Sequence, residues 1–140
     1  MEEYLMSFHD ELKEFASEEK DITDQSILLW RMMHHVINEY RKKYPEWVFL
    51  RHEDLAADPV EGFKDLYQAL GLEFSSSVEK KLSDYTKQEK SSNSYNTHEV
   101  KRDSKSQVNL FRERLSDEEI EYIKEKSRDV WVHFYDEEDW

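Results

Sequence analysis

The chain divides by the spacing of its apolar side chains. In the first twenty residues Tyr4, Leu5, Phe8, Leu12 and Phe15 recur at helical spacing, and the opposite face is crowded with Glu and Asp. This predicts an amphipathic helix with a solvated acidic face. A longer helix is predicted after Asp21, carrying Ile27, Leu28, Leu29, Trp30, Met33, Val36, Ile37, Tyr40 and Tyr44. Its first half is apolar nearly all round and so expects neighbours on more than one side. Arg41, Lys42 and Lys43 suit its C-terminal dipole end, and Pro45 closes it.

The period then changes. Residues 47–50 (Trp, Val, Phe, Leu) form an uninterrupted apolar run rich in aromatic and β-branched side chains. Such a run predicts a strand near 47–51 buried on both faces, as in a parallel sheet. It stops at Arg51, His52, Glu53 and Asp54, a polar cluster at the edge where open α/β sheets bind ligands. No second strand of the same quality is visible. Asp58 and Pro59 supply the N-cap and first position of a helix bearing Phe63, Leu66, Tyr67 and Leu70, with Gly71 as its stop.

Val78, Leu82 and Tyr85 predict a short helix capped by the serines at 75 to 77. Residues 87–105 lack periodicity and read as a long, lid-like loop. Across 75–106 there are seven basic and five acidic side chains, and the cationic cluster Lys101, Arg102 and Lys105 closes the loop. Ser116 and Glu119 make a capping box flanked by Leu115 and Ile120, opening a helix through Ile123, Val130, Trp131 and Phe134.

Composition narrows the function. A net charge of −13, from 33 acidic and 20 basic residues, argues against general nucleic-acid binding. The absence of cysteine excludes disulfides and thiolate metal sites within these 140 residues. His34 and His35 are adjacent, whereas a helical zinc pair needs i,i+4 spacing, so no metal is expected. Gly62 and Gly71 are the only glycines, too few for a glycine-rich phosphate loop. The acidic start carries no signal-peptide pattern and no apolar run reaches membrane-span length, so the expected location is cytoplasmic.

In order, the helix from Trp30 through Tyr40, the run ending in Arg51-His52-Glu53-Asp54-Leu55, the Asp58-Pro59 pair and the helix ending in Leu70-Gly71 resemble the PAPS-dependent sulfotransferases, most closely the bacterial members. Lys101 to Lys105, Phe111 to Ser116, Phe134-Tyr135 and Asp139-Trp140 resemble that family's C-terminal portion. The resemblance implies an α/β, P-loop-like fold by ancestry. Residues 1–140 would be a single partial domain, a mostly helical fragment with one buried parallel-type strand.

It further implies PAPS as co-substrate and sulfuryl transfer to a hydroxyl or amine. His52 stands where the family has a Tyr near the adenine; Arg102, Ser104 and Lys105 match a lid that reaches the 3′-phosphate. No glycine follows Arg102 or Lys105, a departure from the family's cytosolic branch. The family's phosphosulfate loop, base and first-loop cation have no counterpart here, so the chain alone is expected to be catalytically incompetent. Its expected partner is an upstream-encoded N-terminal half, or a second copy through the uncovered strand. The alternative is a non-enzymatic acidic helical interaction module, using exposed Trp30, Trp47 and Phe49.

Overall fold

In the computed structural model residues 2–86 and 108–140 are described, and they form two compact units: residues 2–47 with 115–140, and residues 48–86 with 108–114.

The first unit is built on α3 (Ile22–Lys43). Asp21 caps it, its carboxylate accepting from the Thr23 N–H at 2.7 Å. That bond favours the charged form and holds the Asp21 pKa below its ordinary value. At the other end the Tyr44 N–H reaches the Tyr40 carbonyl, and Pro45 prevents continuation. The helix predicted over the first twenty residues is divided into α1 (Glu2–Leu5), a 3₁₀ turn at Met6–Phe8, and α2 (His9–Ser17). The tightened turn buries Phe8, whose ring meets the edge of His35 and lies beneath the Arg31 guanidinium.

Arg31 is 16% exposed and joins three elements. It donates to Glu11 of α2 at 2.6 Å and to both carboxylate oxygens of Asp129, at 3.0 and 2.8 Å. These two carboxylates raise the Arg31 pKa still further, the Asp129 hydrogen bond being the main cause.

The C-terminal part supplies α8 (Asp117–Lys126) and α9 (Arg128–Trp131). The capping box is present: Glu119 N–H donates to the Ser116 hydroxyl, and Ser116 N–H to the Glu119 carboxylate at 2.8 Å. The predicted helix through Phe134 breaks at Ser127. The buried Ser127 hydroxyl donates to the Ile123 carbonyl at 2.6 Å, a back-bond that bends helices. The break turns Val130 and Trp131 inward, against a core that also holds Ile27 and Leu28.

The second unit contains α4 (His52–Ala57), α5 (Pro59–Ala69), α6 (Ser76–Thr86) and α7 (Leu110–Arg114). Gly62 of α5 lies against Leu55 of α4; a Cβ there would come within 3.0 Å of a Leu55 methyl group and 3.4 Å of its Cα. The close helix approach therefore depends on hydrogen at that position. Gly71 ends α5 with φ +66°, its N–H reaching the Gln68 carbonyl while Leu72 N–H reaches Tyr67. This is a Schellman stop, in which alanine is strained. Gly71→Ala is expected to lower the stability of this unit by about 1 kcal/mol. Faster hydrogen exchange of the α5 amides reads it, and unchanged exchange counts against it.

The expected α/β architecture is overturned. Among the described residues there is no strand and no sheet. Residues 48–51 are irregular, and Trp47, Val48 and Leu50 are 42–50% exposed rather than buried on both faces. A strand needs a ladder to satisfy its backbone, and every other apolar segment here has a helical period. The head of the run is also taken by the end of α3: Trp47 N–H donates to the Tyr44 carbonyl, and the two rings stack 4.5 Å apart.

Candidate functional site

The polar cluster that follows the apolar run is the start of a helix. Arg51 has extended backbone angles (φ −86°, ψ 139°) and serves as N-cap residue of α4, and its carbonyl accepts from Leu55 N–H. Side chains alternate along the approach: Val48 and Leu50 are exposed, and Phe49 between them is half-buried. The segment is thus one-sided, apolar outward at two positions.

His52 is the first residue of α4 and is exposed. Glu53, next in the helix, is half-buried. Asp54 is engaged locally, its carboxylate 3.0 Å from the Arg51 guanidinium. Asp58 accepts from Glu61 N–H at 3.3 Å and so caps α5, as its position before Pro59 predicts. On the next turn Lys64 pairs with Glu61, which raises the lysine pKa. Three of the four carboxylates in this stretch, those of Asp54, Asp58 and Glu61, are therefore held in local structural bonds. His52 is exposed beside them, and an imidazole is chemically able to stack on a planar base or exchange hydrogen bonds with it.

Arg102, Ser104 and Lys105, and the lid-like loop 87–105 to which they belong, lie outside the described residues. No group of three or more His, Cys, Asp or Glu suited to a metal ion occurs among the described residues. Nor is any described helix long and apolar enough to cross a membrane.

Of the aromatic side chains expected to be uncovered, Trp47 is exposed, whereas Trp30 and Phe49 are half-buried. His34 stacks on Trp30 at 3.8 Å with its Nδ1 3.0 Å from the Trp30 carbonyl oxygen, and its ring meets the edge of Phe134. The i,i+4 spacing of Trp30 and His34 carried that stack in the sequence. Periodicity alone does not single out Arg31; an arginine within an apolar helical segment is the signal that marks it.

No protein-family model, curated protein or solved structure matches this chain.

Proposed function

We propose that this chain is the C-terminal part of a PAPS-dependent sulfotransferase and contributes one side of its nucleotide site. The observation that carries the reading is the ordered series of motifs from Trp30 to Trp140. Local geometry supports it at one point: the apolar run leads directly to an exposed His52 at the head of α4. In this reading the imidazole lies along the adenine. Arg102 and Lys105 supply charge to the 3′-phosphate, and Ser104 supplies a hydroxyl donor. A phosphate monoester is well suited to such charge-assisted hydrogen bonds.

The reaction of the complete enzyme is in-line transfer of a sulfuryl group from PAPS to an acceptor hydroxyl or amine. Catalysis there consists of positioning the donor, neutralising phosphate charge and removing the acceptor proton. With only Gly62 and Gly71 available, these 140 residues hold no glycine-rich phosphate loop, so the isolated chain transfers no sulfuryl group on its own.

Calorimetric titration with 3′-phosphoadenosine 5′-phosphate at low salt tests the proposal. Binding is expected, and Arg102→Ala with Lys105→Ala is expected to weaken it by about a hundredfold or more. A folded chain that does not bind the nucleotide overturns it. The interaction-module reading then leads, favoured by the exposed apolar side chains Val48, Leu50, Leu70 and Leu72 of the second unit.

A further inference from the structure

Helix α3 has a second apolar face. At 100° per residue Ile22, Ser26, Leu29, Met33, Val36 and Tyr40 fall on one side, opposite the buried Ile27, Leu28 and Asn38. This stripe runs about 27 Å and contains no charged side chain, in a chain of which 38% is charged. Ile22, Leu29 and Met33 are 56–72% exposed, and Val36 and Tyr40 are half-buried. Two donors along it are satisfied within the chain: the Ser26 hydroxyl donates to the Ile22 carbonyl at 2.7 Å, and the adjacent Gln25 amide to the Lys20 carbonyl at 2.8 Å.

We propose that the stripe pairs with the same stripe of a second copy of this chain, the two α3 helices running antiparallel. The ends of the stripe select this occupant and this direction. Glu18, Glu19, Asp21 and Asp24 surround the start of α3, with Lys20 among them paired to Glu18, and Arg41, Lys42 and Lys43 form its last turn, where Lys42 pairs with Glu39 and Lys43 donates to the Tyr4 hydroxyl. Setting Leu29 opposite the partner's Met33 puts Ile22 opposite the partner's Tyr40, Ser26 opposite the partner's Val36, and Glu19 opposite the partner's Lys43. Each acidic end then faces a basic end, twice, by the two-fold symmetry of an isologous contact. A parallel pair would place like charges together at both ends. Two copies of a chain with a net charge of −13 repel one another, so the contact needs a face without charge and ends of opposite sign, and this stripe has both. The proposal stands apart from the nucleotide reading, whose residues all lie outside α3.

Sedimentation velocity of the full chain over a wide concentration range tests it. A monomer–dimer equilibrium is expected, and Leu29→Glu with Met33→Glu is expected to weaken the dimer by about tenfold or more while circular dichroism stays unchanged. Glu19→Lys and Lys43→Glu should each weaken it, and the two together should restore it. A monomer at every concentration overturns the proposal. A dimer indifferent to the Leu29 and Met33 changes places the contact elsewhere and overturns it as well. Failure of the charge exchange to restore association overturns the antiparallel register.

Discussion

Trp131→Ala is expected to lower the stability of the first unit by about 3–5 kcal/mol, the range for truncating a buried tryptophan. The side chain is 2% exposed and lies beside Val130 at the point where Ser127 turns the chain inward. Its indole N–H donates to the Lys124 carbonyl at 2.7 Å, so it also satisfies an end carbonyl of α8. Its ring meets the edge of Trp140 at 5.7 Å. Alanine removes the packing, the donor and that contact together. Trp131→Phe keeps much of the apolar area and loses the donor, so about 1 kcal/mol beyond the volume change is expected. Urea unfolding followed by tryptophan fluorescence reads the effect. All four tryptophans (Trp30, Trp47, Trp131 and Trp140) belong to the first unit, so the signal reports that unit, and three remain in the variant. A loss below about 1 kcal/mol for alanine would mean that the indole is not part of the core.

The second large effect is expected at Arg31. Arg31→Ala should cost about 2–3 kcal/mol: the guanidinium is mostly buried, but Asp129 is half-exposed and Glu11 a third exposed, which screens part of the gain. The loss has three sources. The fork to Asp129 disappears, Glu11 and Asp129 are left as neighbouring carboxylates in an already acidic chain, and the cation over the Phe8 ring is gone. Arg31→Lys should recover less than half of it, because an ammonium cannot make the planar fork and bridge to Glu11 at once. A double-mutant cycle with Asp129→Ala separates the fork from the rest. If lysine restores full stability, charge alone is what the site needs and the fork is incidental.

The helical elements were legible in the sequence wherever period and caps agreed. Asp21, the Asp58-Pro59 pair, Gly71 and the Ser116–Glu119 box each act within one turn of themselves, so they perform in the fold what their residue types predict. The apolar run at 47–50 departs from its strand-like composition for a physical reason. Its composition suits a strand, but a strand is made by the neighbour that pairs with it, and the chain supplies none among the described residues. Instead, Trp47 stacks on Tyr44, and the remainder becomes a one-sided extended approach to α4. The candidate site was legible only in part. His52 is exposed after the run, but it opens a helix rather than leaving a strand.

What the sequence determined by itself is local: where helices begin and end, which faces are apolar, and that the first half of α3 would need neighbours on two sides. Those properties follow from side chains acting on their own turn or the next. What only the tertiary structure decided is long-range. It put Arg31 between Glu11 and Asp129, joined Tyr122 to Asp24 through a 2.7 Å hydrogen bond, and left Ile22, Leu29 and Met33 of α3 exposed. These outcomes depend on which segments meet, and a periodic pattern names the face that must be buried without naming what buries it.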